Sequence, residues 1–237
     1  SRLEADYKNK NTPATIGVYW DHSASGEKRD LQKEQELLKA YLAKVGDVKV
    51  SLLPFNIVVK GNEIFEISDG NSDALLKRIA ELRYDGGTQF GAIDLNQSSF
   101  DEVILFSDGL GTIGKREINF SKTPVTTVSS SPGADFSFLK YTAHRSGGIF
   151  IDLTKTDSKT ALDEISNQSL HVINIEYEPS DAEELVAQVG SIRSNGLSFS
   201  GILKGNSASV KVNLGFGNDI QTSKTFSIQK PDSSDYD

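Results

Sequence analysis

Ala14-Thr15-Ile16-Gly17-Val18-Tyr19-Trp20-Asp21-His22-Ser23-Ala24-Ser25 opens as an apolar, β-leaning run and breaks off at a carboxylate. A run that is apolar on both faces is what a central strand of a parallel sheet looks like, covered above and below. The residues after Asp21 are small and polar, as a loop at a strand end requires.

Working outward, Leu31, Leu38, Leu42 and Val45 repeat at helical spacing, and Gly46 ends the pattern. Glu27, Lys28, Arg29 and Glu34 lie off that stripe, so Lys28-Arg29 and Lys33 read as a solvated helix face. Val48–Phe55 is the next strand, and Ile57–Val59 and Ile64–Ile67 form a hairpin or a continued strand across Gly61-Asn62. Ser72 or Asp73 caps a helix carrying Leu75, Leu76, Ile79 and Leu82. A short helix follows Thr88 to about residue 95. Strands are expected at Glu102–Phe106, Val125–Val128 and Gly148–Leu153, and helices at Asp135–Arg145 and from Asp157 to about Ile165. This alternation predicts an α/β fold, a doubly wound, mostly parallel sheet with helices on both faces. Right-handed crossovers then gather the strand C-terminal ends along one edge.

The pattern changes after Ser169. Leu170–Tyr177, Leu197–Leu203, Ser209–Phe216 and Lys224–Gln229 read as strands separated by turns such as Gly205-Asn206 and Gly217-Asn218. The expected organisation is a linker over 1–14, a main domain over 15–169, a small antiparallel β-rich domain over 170–230 and a flexible tail over 231–237.

The chain has 237 residues and a net charge of −8, which argues against nucleic acid or an anionic membrane as partner. It has no Cys, which removes disulfides and thiolate metal sites. It also has no Met, which reads as a piece of something longer. No apolar run approaches the roughly 20 residues of a membrane span, and no signal peptide is evident.

Three loops at expected strand ends carry chemistry: Asp21-His22-Ser23-Ala24-Ser25, Gly86-Gly87-Thr88 and Ser107-Asp108-Gly109. Two carboxylates and three hydroxyls are hard oxygen donors, the kind that Mg2+, Mn2+ or Ca2+ prefers. Ser23 and Ser25 are two apart, so a tight turn can aim both hydroxyls at one point. Two carboxylates leave a divalent ion under-neutralised, with an open position that an acidic group of a partner can fill.

These residues resemble the metal-ion-dependent adhesion site of von Willebrand factor A-type domains, written Asp-x-Ser-x-Ser, then Thr, then Asp. The resemblance implies that Ser23, Ser25 and Thr88 offer hydroxyls to the metal, with Asp21 and Asp108 in or just behind its coordination sphere. His22, Gly87 and Gly109 would lie on the ligand rim. Val18-Tyr19-Trp20-Asp21, Tyr84-Asp85-Gly86-Gly87-Thr88-Gln89, Leu105-Phe106-Ser107-Asp108-Gly109 and Ser146-Gly147-Gly148 resemble bacterial proteins that pair an inter-α-trypsin-inhibitor-type VIT domain with an A domain. That implies a VIT domain upstream and an extracytoplasmic location.

Gly109-Leu110-Gly111-Thr112-Ile113-Gly114 satisfies a dinucleotide fingerprint, but it follows a middle strand and reads as a loop beside the metal. The three histidines have no paired spacing and suggest no zinc site. Trp20 reads as core or site wall. No hydrolase constellation is visible, so no enzyme activity is expected. The expected function is a divalent-metal-dependent protein-binding or adhesion module whose partner offers Asp or Glu. The alternative is a structural spacer or assembly subunit of a larger envelope protein, with the metal only tying loops together.

Overall fold

The computed structural model describes residues 7–9, 11–97, 99–169, 171–187, 199–216 and 219–230. The expected tail over 231–237, the Gly217-Asn218 turn, Leu170 and the first residues of the strand expected from Leu197 lie outside them. The elements run β1 (Tyr7–Asn9), β2 (Thr15–Asp21), α1 (Leu31–Val45), β3 (Val48–Phe55), β4 (Glu63–Ile67), α2 (Asp73–Ala80), β5 (Glu102–Phe106), β6 (Val125–Ser129), α3 (Phe136–Arg145), β7 (Phe150–Asp152) and α4 (Ser158–Ser166). They continue as β8 (Asn167–Ser169), β9 (His171–Tyr177), β10 (Ala182–Ala187), β11 (Phe199–Leu203), β12 (Ser207–Phe216) and β13 (Asp219–Gln229). Two compact units result: Asn9–Asn167, and Ser1–Lys8 with Gln168–Asp237.

The larger unit is built on a six-stranded sheet ordered β4-β3-β2-β5-β6-β7. The β3–β4 pair is antiparallel and the other neighbours are parallel. This is the expected α/β sheet. Its period-two alternation sorts side chains between two apolar layers. Ile16, Val18 and Trp20 of β2 face the layer made with Leu38 and Leu42 of α1, Leu75 and Ile79 of α2, and Ala161 and Ile165 of α4. Tyr19 faces the other way, with Leu53, Phe55, Phe90, Ile93, Val103 and Leu105.

The two faces are covered differently. The second face carries Phe138 of α3, but residues 88–97 form two 3-10 turns, Phe90–Ala92 and Leu95–Gln97, where a short helix was expected. Close packing accounts for the difference: a Cβ on Gly91 would stand 2.9 Å from Lys115 Cβ and 3.0 Å from its carbonyl. A full α-helical turn there would need more width than that crossing allows.

The helix starts follow side-chain chemistry. Asp30, Asp135 and Asp157 each accept a backbone N–H of the first turn of α1, α3 and α4. Ser72 occupies the N-cap position of α2 without a side-chain cap bond.

In the smaller unit, β12 lies between β9 and β13 in an antiparallel sheet, and β10 pairs antiparallel with β11. Val210, Val212 and Leu214 pack with Val172, Ile175, Tyr177, Leu185, Phe226 and Ile228. Strand β10 was not anticipated, because Ala182-Glu183-Glu184 has low β-propensity and carries no alternating pattern. Residues Tyr7–Asn9, read above as linker, form β1.

Arg29 departs most from the sequence reading. It is 4% exposed rather than solvated, and its guanidinium lies 3.1 Å from the Glu34 carboxylate, both side chains fully buried. It also donates to the carbonyls of Asp21 and Gly26 and sits 5.5 Å from the Trp20 ring centre. Glu34 in turn accepts from the Ser130 N–H and hydroxyl. Burial raises the Glu34 pKa, against the pull of Arg29 and Ser130. Lys33 likewise turns inward, to the carbonyls of Leu153 and Thr156.

Two stability predictions follow from this packing. A Cβ on Gly148 would lie 2.1 Å from the Val125 carbonyl oxygen, whereas on Gly133 the nearest atom is 4.0 Å away. Gly148→Ala should therefore lower urea-unfolding stability by about 1–3 kcal/mol, and Gly133→Ala should leave it within about 0.5 kcal/mol. Arg29→Met and Glu34→Met should each cost about 3–5 kcal/mol by stranding the partner charge, and the double variant should cost less than their sum. Additive losses would contradict the pairing.

Candidate functional site

Asp21 closes β2, and Asp108 stands two residues beyond β5. The chain runs from β2 to β3 on one side, then returns to place β5 on the other. The crevice between β2 and β5 is therefore the point where strand order reverses, and open α/β sheets bind ligands there.

Asp21 is fully buried. Its Oδ1 accepts the Ser23 N–H at 2.9 Å, and its Oδ2 accepts the Ser107 hydroxyl at 2.6 Å. The first of these bonds bends the chain back at the strand end and brings the Ser23 and Ser25 hydroxyls to 3.2 Å from each other. The third loop folds the same way, with the Leu110 N–H on Asp108 Oδ1 at 3.0 Å and the Gly109 N–H on Ser107 Oγ at 3.0 Å. Gly109 has φ +73°, and a Cβ there would meet the Asp135 carbonyl and Leu139 at 3.0 Å, so the turn needs glycine. Burial raises the Asp108 pKa and the charge of Asp21 adds to it, while the Leu110 N–H, a Ser25 hydrogen bond and Arg29 pull it down. Asp21, Ser23, Ser25, Ser107 and Asp108 thus share one hydrogen-bonded cluster.

Thr88 reaches the same edge through the backbone. Its N–H donates to Thr112 Oγ1 at 2.9 Å, and its carbonyl accepts from Thr112 and Ile113. The Ala24 N–H donates to the Gly86 carbonyl, and the Asp85 N–H to the His22 carbonyl, which ties the first loop to the second. Thr88 is fully buried, and its Oγ1 has no hydrogen-bond partner. A buried hydroxyl without a partner forfeits about 1–3 kcal/mol, so this oxygen has capacity for a ligand.

The three expected rim residues differ in exposure. Gly87 is half-buried, with Ile113 and Thr112 packed against it. Gly109 is buried. His22 is only 3% exposed and lies below the surface: its Nδ1 bonds the Arg83 carbonyl at 2.8 Å, and its Nε2 has no partner. Sequence reasoning missed Ser107 as the grip on Asp21, and it missed the Arg29–Glu34 pair behind the site. The Tyr84 hydroxyl also escaped notice; it accepts the Trp20 indole N–H at 2.8 Å in the wall of the site. Ser107 had a signal, its place in Ser-Asp-Gly after a strand, but nothing local marks the others.

Among the described residues, no group of three or more His, Cys, Asp and Glu side chains is placed to hold a metal. The donor set here is instead two carboxylates and three hydroxyls. Its chemistry suits a hard cation, and the unpartnered Thr88 Oγ1 fits that use. The loop over 109–114 packs on the second loop, with Gly114 against Gln89, and Thr112 accepts a hydrogen bond from Thr88.

No family model matches the chain, and a search of curated proteins finds no match. Among solved structures it is similar to an aerotolerance-related membrane protein from Bacteroides fragilis, at 16% identity and a TM-score of 0.48, covering 64% of this chain and 96% of that one. It is similar also to BatB from Bacteroides thetaiotaomicron, at 16% identity and 0.47, over 65% and 97%. A von Willebrand factor type A protein from Catenulispora acidiphila matches at 13% identity and 0.47, over 93% of this chain and 67% of that one.

Proposed function

We propose that the Asn9–Asn167 unit is a von Willebrand factor A-type binding module whose ligand site depends on a divalent cation. The observation that carries this reading is the fully buried, partnerless Thr88 Oγ1, on a loop that backbone bonds tie to the one bearing Asp21, Ser23 and Ser25, which with Asp108 form one cluster. Ser23, Ser25 and Thr88 would supply hydroxyls to Mg2+, Mn2+ or Ca2+, with Asp21 and Asp108 balancing part of its charge. The ion supplies Lewis acidity and a coordination position for a carboxylate from a protein partner.

The residues around it have defined tasks. Ser107 and the Ser23 N–H hold Asp21 in place, and Leu110 holds Asp108. Arg29, paired with Glu34, keeps a positive charge behind the site without occupying it. The reading is of a binding module in an extracytoplasmic protein, not of an enzyme. The purely structural alternative is weaker, because backbone hydrogen bonds already tie the loops without an ion: Ala24 to Gly86 joins the first to the second, and Ile113 to Thr88 joins the second to the segment that follows Asp108.

Calorimetric titration with Mg2+ should give a saturable heat for the wild-type chain. Ser25→Ala and Thr88→Ala should weaken it at least about tenfold, the loss of one ligand costing 1.4 kcal/mol or more. Equal heats from wild type and both variants, with folding intact, would refute the site. Mg2+ at about 100 times its Kd should also stabilise the wild type by ~2.7 kcal/mol. An unfolding midpoint in urea that does not move with Mg2+ would count equally against it.

A further inference from the structure

Large apolar side chains are exposed at few places in the α/β unit: Ile57, Val58, Ile64, Leu110, Ile113 and Tyr141 among the described residues. Ile64 belongs to β4, at the sheet edge, and Tyr141 to α3. Leu110 and Ile113 stand on the segment that follows Asp108, and Ile57 and Val58 stand on the loop after β3, which borders the second loop at Gly86. Ile57 and Val58 follow the end of β3, whose last residue, Phe55, is in register with Asp21. The Ile57 side chain lies 3.7 Å from where a Cβ on Gly86 would be. Ile113 covers Gly87 and donates its N–H to the Thr88 carbonyl. Leu110 donates its N–H to Asp108. Their exposures run from 37% to 54%, so each is half seated in the loops rather than projecting from them.

Burying these side chains would stabilise the free domain, yet they stay part-exposed beside Gly86, Gly87 and Asp108. Apolar side chains clustered around a polar centre mark an interaction surface. We infer that Ile57, Val58, Leu110 and Ile113 form an apolar collar around the cation site, and that the partner is a protein segment presenting one carboxylate flanked by aliphatic or aromatic side chains. This inference rests on the cation-dependent reading above.

Charge and depth narrow the occupant. The chain carries a net charge of −8, so a run of acidic residues would be repelled as a whole, whereas one carboxylate among neutral neighbours would not. An anionic bilayer is disfavoured for the same reason. Ser23 and Thr88 are fully buried, so the incoming group must reach inward on a narrow stem, as an Asp or Glu side chain does. The apolar neighbours of that residue would then rest on the collar and exclude water from the carboxylate, which strengthens its electrostatic attraction.

Three fluorescein-labelled, capped nonapeptides test this by fluorescence anisotropy in Mg2+. The first has a central glutamate with two leucines on each side. The second replaces the leucines by serines, and the third keeps the leucines but has glutamine at the centre. The first should bind at least about tenfold more tightly than either of the others, and EDTA should release it. Ile113→Ser, and Ile57→Ser with Val58→Ser, should weaken that peptide at least about tenfold while leaving the calorimetric Mg2+ heat unchanged. Equal binding of the leucine and serine peptides, or no peptide binding with the Mg2+ heat present, would overturn the collar and leave the cation site standing. Loss of the Mg2+ heat itself would remove both. Binding of the leucine peptide that survives EDTA, or Mg2+-dependent sedimentation with phosphatidylserine vesicles that Ile113→Ser abolishes, would also overturn the assignment.

Discussion

A carboxylate buried at the end of the central strand is the constraint around which this fold is arranged. Asp21 lies between two parallel neighbours, beneath three loops, and has no access to water. Removing an ionised carboxylate from water is expensive unless its oxygens are satisfied. Here the Ser23 N–H takes one oxygen and the Ser107 hydroxyl the other. Those two bonds set the turns of the first and third loops. Arg29 then fastens the Asp21 carbonyl to the start of α1, and Glu34 extends the link to Ser130 beyond β6. Strands β2, β5 and β6 are thus joined at their C-terminal ends by side chains as well as by the sheet ladder.

That arrangement brings Asp21, Ser23, Ser25 and Asp108 into one hydrogen-bonded cluster and sets the second loop beside the first. The reversal of strand order between β2 and β5 opens a crevice, and the Asp21 and Asp108 loops border it. The second loop closes over it through backbone bonds from both neighbours. Thr88 is fixed in position by its N–H and carbonyl, which leaves its hydroxyl buried and unpaired. His22 Nε2 is also buried without a partner, and such groups are rare in folded proteins, so both stand out on loops that backbone hydrogen bonds already fix.

The strand ends were legible in sequence because their signals are local, and Asp21, Ser23, Ser25, Thr88 and Asp108 could be singled out for the same reason. Apolar runs such as Val103–Phe106 stop abruptly, and Asp-x-Ser-x-Ser needs no distant partner to be read. The helix starts at Asp135 and Asp157 were legible for the same reason, and the structure makes both residues N-caps. Arg29 and Glu34 were not. By spacing they fall on the polar side of the helix, and only the approach of Asp21 and Ser130, from separate strands, buries them. Residues 88–97 misled for a similar reason: their composition allows a helix, but the crossing at Lys115 compresses them into 3-10 turns. His22 looks like a rim residue by its place in the motif, yet the carbonyl of Arg83, brought up by the second loop, draws its ring beneath the surface. In each case long-range contact overrode a local pattern.

The central claim is that the hydroxyls of Ser23, Ser25 and Thr88 converge on one cation. Crystals of the full chain soaked in Mn2+, measured at the manganese absorption edge, test it most directly. The account predicts one strong anomalous peak within about 2.0–2.4 Å of all three hydroxyl oxygens. A peak at another site, or a Thr88 hydroxyl left unliganded beside bound manganese, would contradict it.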